Sequence, residues 1–113
     1  MNKEQWETIK YFNPSEFNCP EKMDYDFLVR LNLARTLSDV KYIITSDYRD
    51  DYMSSHGKGL AVDIRCRDSK MRFKMVRGLI WAGFRRIGVY DLHIHADVDD
   101  SRPDGVMWMG KSR

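Results

Sequence analysis

Three histidines occur in the chain, His56, His93 and His95, and each lies in a short segment that also holds an aspartate. In Leu92-His93-Ile94-His95-Ala96-Asp97-Val98 apolar and polar residues alternate strictly. An extended strand therefore turns Leu92, Ile94, Ala96 and Val98 toward a core and lines up His93, His95 and Asp97 on the opposite face. Asp63 occupies the non-core face of a second extended segment, and His56 precedes it across a turn containing Gly57 and Gly59. Two imidazoles and one carboxylate on neighbouring strands make a three-ligand set. Three protein ligands with an open fourth position is the arrangement of catalytic zinc, whereas structural zinc is closed by four. An ion held in this way lowers the pKa of a coordinated water to roughly 7 and polarises a carbonyl, chemistry suited to amide hydrolysis. Cys19 and Cys66 are far apart, with no second cysteine near either, so they lack zinc-ribbon spacing and read as ordinary thiols.

The elements that must position these residues follow from apolar periodicity. Residues 1–23 mix Trp6, Tyr11, Phe12 and Phe17 with Asn-Pro-Ser and Asn-Cys-Pro turn signals, which predicts an irregular N-terminal wrap pinned by aromatic anchors. Asp24 caps a predicted helix over 24–38, whose stripe is Phe27, Leu28, Leu31, Ala34 and Leu37. Lys41 to Thr45 reads as a strand, Ser46 to Lys58 as a loop, and Leu60 to Ile64 as a strand with Leu60, Val62 and Ile64 inward. Asp68-Ser69 caps a second helix with the stripe Phe73, Val76, Leu79 and Ile80 and a stop at Gly83. Arg86–Tyr90 and Leu92–Val98 read as paired strands, 99–105 as a loop, and Val106–Met109 as a short last strand. Met71, Met75, Met107 and Met109 read as fillers of core gaps. The expectation is one α+β domain over 1–113, with two main helices and a small, mainly antiparallel sheet.

Composition bounds the function. With 113 residues, 42% of them hydrophobic, the chain is long enough for one small core and too short for two domains. A net charge of +2 is too little for a dedicated nucleic-acid binder, and no nucleic-acid partner is expected. The basic stretch Arg65 to Arg86 reads as a solvated helix face, with attraction to anionic polymers open. No apolar run reaches the length of a membrane span. The opening Met-Asn-Lys-Glu-Gln-Trp-Glu is unlike a secretory leader, so the expectation is synthesis in the cytoplasm without a signal peptide, as a monomer.

The segment Ser54-Ser55-His56-Gly57-Lys58-Gly59-Leu60-Ala61-Val62-Asp63 resembles the Ser-x-His-x-x-Gly-x-Ala-x-Asp signature of the zinc D-Ala-D-Ala carboxypeptidase family, within the lysostaphin, D-Ala-D-Ala carboxypeptidase and hedgehog metallopeptidase superfamily. His93-Ile94-His95 resembles the superfamily's His-x-His motif. The likeness continues through Ser15-Glu16-Phe17-x-Cys19, Ile44-Thr45-Ser46-x-Tyr48-Arg49, Gly83-Phe84-x-Arg86-Ile87-Gly88-Val89-Tyr90 and His95-x-Asp97-Val98, and is greatest to the short bacteriophage members. The resemblance implies one zinc ion on His56, Asp63 and His95, with His93 stabilising the transition state or moving a proton. It also implies Arg49 against a substrate carbonyl or carboxylate and Ser54 as a further substrate contact. The implied activity is cleavage of peptidoglycan stem peptides, as a carboxypeptidase or an endolysin-like endopeptidase acting at the bacterial cell wall in host lysis or from a virion.

Two departures bear on mechanism. Many relatives place an acid three residues before the last zinc histidine, where this chain has Leu92, leaving Asp91 and Asp97 as the nearest carboxylates. Asp91 could serve as the base or merely occupy a turn, and Asp97 could orient a histidine. The loop between Arg49 and Ser54 is also short. The competing class is a zinc-bearing binding or virion structural protein without catalysis.

Overall fold

The computed structural model describes residues 1–112. Eight regular elements follow one another: α1 (Lys3–Glu7), α2 (Tyr25–Ser38), β1 (Ile44–Ser46), β2 (Ala61–Arg65), α3 (Ser69–Trp81), β3 (Arg86–Tyr90), β4 (His93–Asp97) and β5 (Val106–Gly110). The five strands form one sheet in the order β1-β2-β4-β3-β5. All pairings are antiparallel except β3 with β5, which run parallel. The fold is α+β, with a mixed but mostly antiparallel sheet and a short third helix beyond the two main ones.

Local chemistry explains most boundaries. Asp24 caps α2 by accepting from the Phe27 N–H, and Asp68 caps α3 by accepting from the Met71 N–H. Gly83 takes φ +93° just after α3, a conformation that costs glycine little. The expected strand at 41–45 begins only at Ile44, because Tyr42 turns into the core and its hydroxyl meets Ser38 Oγ at 2.6 Å. Burial pushes the Tyr42 hydroxyl up to about 12, so it stays neutral. The strand expected over Leu92–Val98 is shorter, and Leu92 lies exposed in the turn instead of facing the core.

The N-terminal segment is more regular than a wrap of turns. It contains α1, closed by an Asn2–Gln5 capping box, and two 3-10 turns at Pro14–Glu16 and Pro20–Lys22. Trp6, Ile9, Phe12, Phe17 and Met23 enter the same core as Phe27, Leu31, Val62, Ile64, Leu79 and Ile94. Tyr11, expected among the anchors, is exposed.

The inward face of α3 also differs from expectation. Met75, Gly78 and Leu79 are buried, whereas Phe73 and Ile80 face solvent. The helix carries two apolar stripes, and α2 packs against the one centred on Gly78, where the lack of a side chain lets the backbones approach. Met107 and Met109 likewise fill no core gap, being exposed on the edge strand β5.

Candidate metal centre and its cavity

Strand register brings the site together. β2 and β4 pair antiparallel with Asp63 opposite His95, so their side chains rise on one face of the sheet. His56 arrives from the 3-10 turn Ser55–Lys58, just before β2. His56, Asp63 and His95 place one ligand atom each within 4.8 Å of one another, a group that could hold a metal ion. His56 Nε2 lies 3.5 Å and His95 Nδ1 3.1 Å from Asp63 Oδ1.

Each imidazole is aimed by a bond from its other nitrogen. His56 Nδ1 donates to the backbone carbonyl of Asp47 at 2.7 Å, which turns Nε2 toward the cluster. That Nε2 is buried and has no hydrogen-bond partner among the described residues. A buried polar atom without a partner costs about 1–3 kcal/mol, and a metal ion at this point would supply the missing contact. His95 Nε2 donates to Asp97 Oδ2 at 2.6 Å, directing Nδ1 inward. Asp97 is itself buried and also accepts from Arg86 Nε and from the Asp99 N–H. These carbonyl and carboxylate partners are the usual support of metal-binding histidines, so the donor set fits a metal ion.

Electrostatics reflect the crowding. Burial pushes the Asp63 carboxyl up, but the imidazoles of His56 and His95 beside it overcome this and hold it well below the usual carboxylate range. Burial lowers His95, yet hydrogen bonds to Asp63 and Asp97 outweigh it and the imidazole is raised overall. His93 is lowered, chiefly by burial.

The cluster opens into a cavity of about 460 Å³ that Arg49, Ser54, Tyr90, His93, Trp108, Lys111 and Ser112 also line. His93 Nε2 stands 3.9 Å from Asp63 Oδ1, while its Nδ1 meets Ser112 Oγ at 2.6 Å and its ring stacks on Tyr90 at 4.2 Å. Ser54 Oγ accepts from the His56 N–H, so it caps the turn as well as lining the cavity. Asp91 is not among the cavity-lining residues. Its carboxylate sits in the exposed β3–β4 turn and accepts from the Ser112 N–H at 2.6 Å.

Several residues of the site escaped the sequence reading. Asp47 acts through a backbone carbonyl, while its buried carboxylate accepts from the N–H groups of Asn18 and Cys19 and ties the N-terminal segment to the site. It fills the blank of Thr45-Ser46-x-Tyr48-Arg49, and only its place between matched residues marked it. Tyr90, Trp108, Lys111 and Ser112 reach the cavity through the parallel pairing of β5 with β3, a long-range register that local periodicity does not encode. Asp99, also missed, is buried and accepts from Ser55 Oγ, Lys58 Nζ and Arg102 Nε, clamping the His56 turn to the loop after β4. No family model matches the chain, nor does any curated protein or solved structure.

Proposed function

We propose that the chain is a zinc-dependent peptidase that hydrolyses peptide bonds in peptidoglycan stem peptides. The observation that carries this reading is the convergence of His56, Asp63 and His95 on one point, with His93 and Arg49 lining the same cavity. In this reading His56, Asp63 and His95 hold the ion. Bound zinc supplies Lewis-acid polarisation of the scissile carbonyl and a water acidified to near neutrality. The Asp47 carbonyl and the Asp97 carboxylate keep the two imidazoles in their ligating orientation. Arg49 presents a forked cation to a substrate carbonyl or carboxylate. His93, with Nε2 toward the cluster and Nδ1 on Ser112, is placed to move the proton that the leaving amine requires.

The reading is tested by mass spectrometry of peptidoglycan fragments incubated with zinc-loaded protein, using folded His95→Ala as the control. Loss of one alanine mass identifies a carboxypeptidase, and division of a cross-linked dimer identifies an endopeptidase. Fragments unchanged on several wall types would sink the proposal. One observation favours a second reading, a metal-bearing binding protein without turnover: Asp63 is the only carboxylate among the described cavity-lining residues. That reading requires bound zinc together with an unchanged fragment profile. Action at the cell wall follows from the first reading and stands or falls with it. Among the described residues, no helix is long and apolar enough to cross a membrane.

A further inference from the structure

We propose that the outer face of α3 is a docking surface for an anionic lipid bilayer. Phe73, Ile80 and Trp81 project from this helix into solvent, with Phe73 66% and Trp81 61% exposed. At 3.6 residues per turn Phe73 and Ile80 form the centre of the outer face, with Lys70, Lys74, Arg77 and Trp81 on one flank and Val76 and Arg72 on the other. No acidic residue occurs between Ser69 and Trp81. The apolar surface continues past the helix, because Val89 lines the same shallow groove and Met109, its register partner on β5, is 87% exposed on that side of the sheet.

Charge complementarity selects the occupant. Arg77 holds its guanidinium over both aromatic rings, 5.5 Å from the centre of Phe73 and 4.9 Å from that of Trp81. Its Nε has no hydrogen-bond partner among the described residues. Cation and aromatics thus occupy one spot, and a partner must offer negative charge and apolar contact there together. A second copy of the chain would bring its own cations against these. An acidic peptide would neutralise them but leave the protruding rings wet. An anionic amphiphile satisfies both, with headgroups on the cations and acyl chains around Phe73, Ile80 and Trp81, the pattern of an interfacial helix. The metal cavity lies on the other side of the sheet, since Val89 lines the groove and its neighbour Tyr90 the cavity. The docking surface and the cavity therefore share no lining residue.

Vesicle flotation tests this directly. The protein is expected to bind vesicles of mixed phosphatidylcholine and phosphatidylglycerol about tenfold or more tighter than pure phosphatidylcholine vesicles, and to be released at about 1 M salt. The surface variants Phe73→Asn/Trp81→Asn and Lys70→Gln/Lys74→Gln/Arg77→Gln, with parental thermal unfolding, should each weaken binding about tenfold or more. Equal binding to the two vesicle types, or unchanged binding by either variant, would overturn the proposal. So would a saturable complex with an acidic peptide in the absence of vesicle binding. A dimer detected by light scattering and dissolved by Phe73→Asn/Trp81→Asn would overturn it as well, identifying a second copy as the occupant.

Discussion

His95 lies between two carboxylates, and their division of labour sets what single substitutions should do. Asp63 meets Nδ1 inside the cluster, whereas Asp97 accepts from Nε2 and has no place among the ligand atoms. Asp97→Asn should therefore leave the ligand set intact but lose a charged orienting partner. Zinc affinity is expected to fall about 10–100-fold, read by competition with a chromophoric chelator; unchanged affinity would show that Asp97 serves packing alone. The two candidate proton carriers separate just as cleanly. His93→Ala should lower kcat on stem peptides about 10²–10⁴-fold, while Asp91→Asn should leave it near the parent value, because Asp91 does not line the cavity and its carboxylate is engaged by the Ser112 N–H. A loss of turnover in Asp91→Asn comparable to that in His93→Ala would reverse the assignment. At this scale the cluster was readable from sequence because the chain has only three histidines and they fall in two short segments that also hold aspartates. The Asp47 carbonyl was not, since a backbone acceptor leaves no mark in residue identity.

At the scale of elements, the contact of α2 with α3 decides whether the sheet is covered. A methyl group at Gly78 would stand 2.7 Å from the Ser38 N and 2.8 Å from the Ala34 O of α2, both backbone atoms that cannot swing aside. Helix propensity favours Gly78→Ala by about 1 kcal/mol, but overpacking of this kind costs about 1–3 kcal/mol or more. With backbone on the receiving side the steric cost wins, and net destabilisation of about 1–2 kcal/mol is expected in urea unfolding. A stabilised variant would mean that the helices can separate freely. The same contact explains why the inward stripe of α3 was misread. Of the expected stripe, Leu79 is buried and Val76 packs partly against the core, but Phe73 and Ile80, at equally good helical spacing, face solvent, because the position of α2 turns Met75 and Gly78 inward instead. Capping carried more information than periodicity: Asp24 and Asp68 set both helix starts through bonds three residues long. The parallel place of β5 beside β3 could not be inferred in that way, because the chain leaving β4 must cross β3 before β5 pairs.

For the whole molecule, pH acts through buried carboxylates such as Asp99, and a metal ion would act through the His56, Asp63 and His95 cluster. Burial raises Asp99, but hydrogen bonds from Ser101, Lys58 and Ser55 outweigh it and hold the carboxyl well below its ordinary value. A carboxylate depressed by folding stabilises the native state above its unfolded pKa of about 3.9 and loses that contribution as pH falls below it. The metal-free protein should thus weaken progressively below about pH 4, and Asp99→Asn should flatten this part of a plot of unfolding free energy against pH. An acid limb of the same steepness in the variant would rule Asp99 out as its source. A metal ion held by His56, Asp63 and His95 would add to stability, because these residues converge only when the His56 turn, β2 and β4 are all folded. Zinc at 100 times its dissociation constant should add about 2.7 kcal/mol, and for a domain of this size that raises the thermal midpoint by about 10 °C. Chelation should reverse the shift, and His95→Ala should abolish it, both in calorimetry. If the midpoint ignores zinc while the wild type still binds it, the ion associates equally well with the unfolded chain, and the cluster is not a site that folding assembles.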